Sequence, residues 1–135
     1  MDVSIVRCAD YGEETCERAL REVLVPFGGL DWVRPGMRVV IKANLVSAMK
    51  PEKAATTHPA LLAALTMLRE RGANVVIGDS PGGTFAATHL SAVYRTCGLS
   101  EAEAAGAELN RDFSQKEAAL PEAHTAKHIT YTGYL

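Results

Sequence analysis

Two short runs of β-branched residues dominate this chain, and each run ends abruptly in polar residues. The first is RVVIK, residues 38–42, and the second is NVVIG, residues 74–78. Nearly continuous apolar runs of this length are typical of strands buried in a parallel sheet. Between them, Leu61, Leu65 and Leu68 recur at the spacing of a buried helix face. A strand, a helix and a strand form a βαβ unit, so the sequence predicts an α/β fold.

The flanking segments extend this alternation of strand and helix. VSIVRC, residues 3–8, predicts a first strand, and AELNRDF, residues 107–113, predicts a fourth. We therefore predict a doubly wound α/β domain over residues 1–113, with a mostly parallel sheet of three to five strands and helices on both faces. Residues 114–135 form a polar tail without a clear period. Its last segment, ITYTGYL, predicts a strand added to a sheet edge, or marks a chain cut short.

Composition limits the classes of partner. Hydrophobic residues make up 47% of the 135 residues and charged residues 22%, which is typical of a globular domain. The formal net charge of -2 gives no reason to expect nucleic acid or an anionic membrane as a partner. The longest apolar stretch is about half the roughly 20 residues that cross a bilayer. The start of the chain lacks the cationic segment of a secretory signal, so we expect a cytoplasmic protein.

The cysteines argue against an iron–sulfur cluster within this chain. Cys8, Cys16 and Cys97 are odd in number, widely spaced and outside any CxxC arrangement. A four-iron cluster is usually held by four thiolates. We interpret all three as buried thiols, because free cysteine is among the most buried residue types.

Polar side chains follow the second predicted strand. Lys42 and Asn44 are two residues apart, so in extended chain they project to the same side. An ammonium group and a carboxamide together suit a phosphate or carboxylate oxygen. The alternative is structural, with Lys42 extending into solvent and Asn44 shaping a turn.

The third predicted strand ends in Asp79 and Ser80, followed by Gly82 and Gly83. These glycines would let the backbone approach a ligand closely and form an anion-binding nest. The negative charge of the Asp79 carboxylate would itself repel an anion. It is interpreted as a metal ligand, as a partner for Lys42, or as an acceptor of ligand hydroxyls. The alternative is that the segment only forms a turn.

Thr57 and His58 precede the helix between these two strands. The amino end of that helix is predicted to face the same crevice, with free N–H groups and positive potential. His58 would then be a ligand or a proton carrier, and the alternative is a structural cap. The other histidines, His89, His124 and His128, are interpreted as structural.

Three of these motifs together resemble a known family. IKANLVS, KAATTHPALLAAL and GANVVIGDSPGG are similar to the amino-terminal half of the Domain of Unknown Function 362 family. Its members carry K-x-N-x-V, T-T-H-P and G-D-S-P-G-G in this order, and the resemblance covers residues 3–113. It implies a cytoplasmic prokaryotic α/β protein, and some members also carry ferredoxin-like four-iron clusters. The family's motif positions fall on Lys42, Asn44, Thr57, His58, Asp79, Ser80, Gly82 and Gly83.

The chain also departs from this family. Members usually continue with further strands and a downstream lysine-threonine-histidine segment, which has no match here. The resemblance therefore implies a fragment or a short member with an incomplete site. An open sheet edge in such a piece would recruit a second copy of the chain, because open edges invite pairing.

These observations predict a ligand-binding α/β domain, half of an enzyme-like site for an anionic small molecule, with a divalent metal at Asp79 as a further expectation. In catalysis Lys42 would stabilise developing negative charge, and His58 or Asp79 would move a proton. Two alternatives stay open. One is an iron–sulfur-linked accessory for electron transfer, and the other is a structural or assembly domain without a ligand.

Overall fold

The central element is a parallel sheet of three strands. In the computed structural model, which describes residues 2–83 and 86–134, these are β1 (Arg38–Lys42), β2 (Asn74–Gly78) and β3 (Glu108–Leu109). Their order in the sheet is β1-β2-β3, and both neighbouring pairs are parallel. The predicted α/β class and the mostly parallel sheet are confirmed. The strand predicted at residues 107–113 exists but is only two residues long.

Four α-helices accompany the sheet in the described part of the chain. They are α1 (Glu13–Leu24), α2 (Pro59–Ala64), α3 (Ala87–Thr96) and α4 (Ser100–Ala104). Helix α2 continues directly into a 3₁₀-helix, Leu65–Arg71, which ends at Gly72. Gly72 has a φ of 80°, and glycine adopts this left-handed conformation without steric cost. Shorter 3₁₀-helices lie at Val25–Phe27 and Pro51–Lys53.

The hydrophobic core lies against one face of the sheet. Val39 and Ile41 of β1 stand beside Val75 and Ile77 of β2. Since side chains alternate along a strand, these four project to the same face. Each of the four helices contributes side chains that pack in this core: Leu20, Leu24, Leu62, Leu90, Val93, Tyr94 and Ala102. The sheet and helices therefore share one core, with Ile77 at its centre and fully buried.

The strand predicted at residues 3–8 is wrong. Residues 2–9 lie outside any helix or strand, and Val3 and Ile5 are 77% and 90% exposed. β-branched composition indicates a strand only where a neighbouring strand supplies backbone partners and a surface to pack on. No described strand pairs with this segment.

The tail contains a hairpin that the sequence did not indicate. Strands β4 (Gln115–Ala119) and β5 (His128–Thr132) pair in antiparallel orientation, with Gln115 opposite Thr132. β5 confirms the β-prone reading of ITYTGYL over most of its length, but its partner is β4, not an edge of the three-stranded sheet. β4 was missed because its side chains are mostly polar and exposed, so no apolar alternation marks it. The division of the chain at residue 113 stays a prediction.

The chain after β5 returns to the parallel sheet. Tyr134 is 4% exposed, and a Cβ built on Gly78 would stand 2.8 Å from its ring. Only glycine at the end of β2 allows this close approach. The carbonyl of Tyr134 also accepts a hydrogen bond from the guanidinium of Arg38 at 2.5 Å.

Among the described residues, no helix combines the length and apolar content that a membrane crossing requires.

Two isoleucines provide a matched test of this core. Ile77→Ala is expected to lower the free energy of unfolding by about 2–5 kcal/mol, because it leaves a cavity in the packed core. Ile5→Ala is expected to change it by less than about 0.5 kcal/mol, since the side chain already lies in solvent. Urea unfolding followed by circular dichroism measures both. A large loss with Ile5→Ala would show that the amino-terminal segment is packed after all.

Candidate functional site

The side chains of Lys42 and Asp79 meet where β1 and β2 end. Lys42 lies opposite Gly78 in the parallel register, so Asp79 follows one residue beyond it. The Nζ atom of Lys42 is 2.9 Å from Oδ1 of Asp79 and also donates to the carbonyl of Ala43 at 3.3 Å. The lysine side chain is 69% exposed and the aspartate side chain 6%. The pair therefore has a buried anionic end and an accessible cationic end.

The second carboxylate oxygen of Asp79 fixes the backbone after β1. Its Oδ2 atom accepts a hydrogen bond from the N–H of Leu45 at 2.7 Å. Leu45 is fully buried, so this N–H has no access to water. Of the three interpretations of Asp79, partner of Lys42 is the one the geometry supports.

Asn44 and Thr57 are joined by two hydrogen bonds. The N–H of Asn44 donates to Oγ1 of Thr57 at 2.9 Å, and the N–H of Thr57 donates to the carbonyl of Asn44 at 2.8 Å. This reciprocal pair anchors the segment after β1 to the start of α2. Thr57 thus positions the site residue Asn44 through the backbone.

The glycine loop after Asp79 is held by hydrogen bonds from its backbone to Val46 and to the His89 side chain. The N–H of Gly82 donates to the carbonyl of Val46 at 2.8 Å, and its carbonyl lies 3.0 Å from Nε2 of His89. The anion-binding nest predicted for the glycines is therefore not available at the N–H of Gly82. Gly83 has a φ of 105°, which explains the glycine there by backbone conformation.

Val46 has a strained backbone. Its φ is 37°, in the left-handed region that a β-branched residue rarely adopts. Such a conformation costs about 1–3 kcal/mol and persists only where the surroundings enforce it. Here the bond from the N–H of Gly82 holds the carbonyl of Val46, and the bond to Asp79 holds the N–H of Leu45, the residue before it. Strain of this kind clusters at ligand-binding sites.

A cavity of about 390 Å³ opens beside the Lys42–Asp79 pair. It lies at the carboxyl ends of parallel strands, where α/β proteins bind ligands. Its lining residues come from both strand ends and from the carboxyl-terminal hairpin: Lys42, Asn44, Val46, Asp79, Ser80, Pro81, Gly82, Tyr131, Thr132 and Tyr134. Five of the eight predicted site residues are therefore brought together, while Thr57, His58 and Gly83 do not line the cavity.

His58 lies elsewhere, in a structural setting. Its Nδ1 atom accepts a hydrogen bond from the N–H of Ala60 at 3.3 Å and so caps α2. Its ring stacks on that of Tyr11, with centroids 3.6 Å apart and an interplanar angle of 9°. Helix α2 has only six residues and its amino end is capped, so the predicted anion-attracting helix end is absent from the cavity. Of the three residues expected to act in catalysis, Lys42, His58 and Asp79, only Lys42 and Asp79 meet.

Three lining residues come from the tail and were not predicted. Tyr131 and Thr132 belong to β5, and Tyr134 follows it. The hydroxyl oxygen of Thr132 is buried and has no hydrogen-bond partner among the described residues. The only signal for them was the β-prone segment at the end of the sequence. This segment reaches the carboxyl end of β2 only because β5 pairs with β4, and the sequence did not indicate that hairpin.

The donor set at Asp79 does not fit a divalent metal. Both carboxylate oxygens already have partners, and one partner is an ammonium group that would repel a cation. Within residues 2–83 and 86–134, no group of three or more histidine, cysteine, aspartate or glutamate side chains is placed to hold a metal ion. We therefore derive no chemistry from a metal at this position.

The prediction that all three cysteines are buried is wrong for one of them. Cys16 and Cys97 are buried, but Cys8 is exposed. Cys8 lies on the unpaired amino-terminal segment, where no neighbouring strand covers it.

Comparison with known proteins identifies the family of this chain. The family model of the domain of unknown function DUF362 matches residues 39–133, and the chain belongs to this family. The match includes the tail, which the motif resemblance had not covered, and does not include the first 38 residues. The chain is also 37% identical over 81 residues to the thylakoid-associated protein sll1697 of Synechocystis sp.. That alignment covers 58% of this chain and 25% of the relative, so the chain spans only a fraction of its length. No solved structure matches the chain.

The carboxylate of Asp79 is expected to stabilise the strand ends. Asp79→Ala would lower the free energy of unfolding by about 1–3 kcal/mol, because the buried N–H of Leu45 loses its acceptor. Asp79→Asn keeps an acceptor oxygen and should cost less. Asp31→Ala is the control, since Asp31 is 80% exposed in its ion pair with Arg71. Urea unfolding ranks the three variants, and equal losses for all of them would contradict the role of Asp79.

Proposed function

We propose that this domain binds an anionic small molecule in the cavity at the carboxyl ends of β1 and β2. The observation that carries the proposal is the ion pair of Lys42 and Asp79 at the cavity wall, 2.9 Å between Nζ and Oδ1. Asp79 holds the ammonium group in place, and the exposure of Lys42 leaves that group accessible to a ligand. An ammonium group has three donors, and two of them already bond Asp79 and Ala43. The third donor would bond the ligand's anionic oxygen.

The other walls favour a ligand with an apolar or planar body. Val46, Pro81, Tyr131 and Tyr134 line the cavity with aliphatic and aromatic surface. Aromatic rings provide large contact areas with specific stacking geometry. An aryl phosphate or aryl carboxylate combines these properties.

We propose further that the cavity is one half of an enzyme-like site. Lys42 would stabilise negative charge that develops on a bound substrate. The proton-transfer role expected of His58 is not supported, because its ring caps α2 and stacks on Tyr11. The relative sll1697 is about four times as long as the aligned part of this chain, and the second half of the site would correspond to its additional length. The electron-transfer alternative has no cysteine cluster to support it in the described part.

Phenyl phosphate and inorganic phosphate provide a direct binding test. Calorimetry is expected to show binding of phenyl phosphate and weaker binding of inorganic phosphate, since only the former reaches the aromatic wall. Lys42→Ala should weaken phenyl phosphate binding by about tenfold or more, because a charge-assisted hydrogen bond is lost. Lys53→Ala is the matched control, since it removes the same charge from an exposed 3₁₀-helix outside this cavity.

Two outcomes would contradict the proposal. Equal affinity in wild type and Lys42→Ala would remove the ammonium group from the site. The absence of any binding, or of any thermal stabilisation by either compound, would favour the structural or assembly role instead.

A cytoplasmic location is also proposed. The three cysteines are free thiols, which suits a reducing compartment. Cell fractionation with an antibody against the chain would test the location.

We propose in addition that the chain forms a homo-oligomer through the outer edge of β1. Among the described strands, β1 has β2 as its only neighbour. The carbonyl of Met37 and the N–H of Ala43 bond to β2, so alternation directs the N–H groups of Arg38, Val40 and Lys42 to the outer edge. Such an edge can pair with the same edge of a second copy.

Val40→Pro tests this pairing without breaking the internal ladder. Proline removes an N–H that faces away from β2, a position where edge strands tolerate proline. Light scattering after size exclusion is expected to show a wild-type dimer, a monomeric Val40→Pro variant and a dimeric Val40→Thr control. A monomeric wild type at high protein concentration would rule out pairing through this edge.

A further inference from the structure

Two cysteines near the amino terminus lie close together, away from the cavity. The Sγ atoms of Cys8 and Cys16 are 4.0 Å apart. Both lie near the carbonyl of Asp10, at 3.1 Å for Cys8 and 3.8 Å for Cys16. Cys8 is exposed, whereas Cys16, in α1, is 1% exposed. The pair therefore combines a thiol that solvent can reach with one that it cannot.

We propose that Cys8 and Cys16 form a peroxide-reactive pair, in which Cys8 is oxidised first and Cys16 then closes a disulfide. The thiolate of Cys8 attacks one oxygen of hydrogen peroxide, the O–O bond breaks, and hydroxide leaves, so that Cys8 becomes a sulfenic acid. The sulfur of Cys16 then attacks the sulfur of Cys8. The S–S bond forms, and the sulfenic oxygen leaves with two protons as water. Peroxide is the oxidant, and two thiols are the reductants.

The order of events follows from the surroundings of each thiol. Peroxide reacts with the thiolate form of an accessible cysteine, and Cys8 is the accessible one. Burial, together with the hydrogen bond to Cys8, raises the pKa of Cys16 to about 11. Cys16 is therefore protonated at neutral pH and hidden from the oxidant. It can still react with a sulfenic acid that lies directly beside it.

The backbone allows the two sulfur atoms to close the remaining distance. A disulfide bond is about 2.05 Å long, so the sulfur atoms must approach by about 2 Å. Cys8 lies on residues 2–9, which belong to no helix or strand, while Cys16 is held in α1. No helix or strand holds the backbone of Cys8, so Cys8 can shift toward Cys16. Cys97 cannot substitute, because it is buried elsewhere with its Sγ directed to the carbonyl of Ser47 at 3.5 Å.

The resulting loop contains Tyr11. The ring of Tyr11 stacks on His58, and His58 caps α2. Closing the loop between Cys8 and Cys16 would hold this stacked pair in place. Oxidation would thereby tie the amino-terminal segment to both α1 and the start of α2.

Mass spectrometry of the intact chain tests the proposal. After a short exposure to equimolar hydrogen peroxide near neutral pH, the wild type is expected to lose the mass of two hydrogen atoms, and dithiothreitol should restore it. Trypsin releases residues 8–18 as one peptide that contains both cysteines but not Cys97. Cleavage after Glu13 or Glu14 would leave the two halves of this peptide joined only if the disulfide is present.

Variants separate the two roles. Cys8→Ser should abolish the reaction, and Cys97→Ser should react like the wild type. Cys16→Ser, with Cys16→Ala as a second version in case the buried hydroxyl disturbs folding, should stop at a sulfenic acid on Cys8 that dimedone traps.

The proposal fails under any of three results. The first is a sulfinic acid on Cys8 of the wild type while Cys16 stays reduced. The second is disulfide-linked dimers in place of the internal bond. The third is unchanged oxidation of the peptide in Cys8→Ser.

Discussion

The carboxylate of Asp79 holds together the segments from which the cavity is built. One oxygen accepts the buried N–H of Leu45, and the other pairs with the ammonium group of Lys42. The first bond fixes the backbone after β1, and the second holds a cation at the cavity wall. Both bonds depend on burial, because a carboxylate exposed to water would gain little from either. The strained conformation of Val46 is enforced within this same arrangement.

The parallel register explains why these groups meet. Lys42 stands opposite Gly78, so the last residue of β1 and the first residue beyond β2 lie side by side. Gly78 has a second role, since the absence of a side chain lets Tyr134 pack against the end of β2. The hairpin of β4 and β5 thereby contributes aromatic side chains to a cavity whose charged groups come from the sheet. A part of the chain far along the sequence thus completes the wall of the cavity.

Local patterns were reliable where local physics decides the outcome. The apolar runs at residues 38–42 and 74–78 became neighbouring parallel strands, of which the second is buried and the first half-buried, because continuous β-branched sequence has few other stable environments. The same composition at residues 3–8 produced no strand, since pairing requires a neighbour that no local pattern supplies. His58 has the structural role that was the alternative to a role in binding or catalysis. Its Nδ1 atom caps α2, and its ring stacks on Tyr11.

From the sequence alone came the α/β class, the family resemblance and the meeting of Lys42 with Asp79. These follow from one rule, that parallel strands end at the same edge of a sheet and carry the residues after them to one place. Only the tertiary structure decided that β5 pairs with β4, that Tyr134 packs on Gly78, and that Cys8 lies beside Cys16 in an exposed position. Each of these contacts depends on the path of the backbone between distant or irregular segments. That path is set by the packing of the whole chain, which no local spacing of residues encodes.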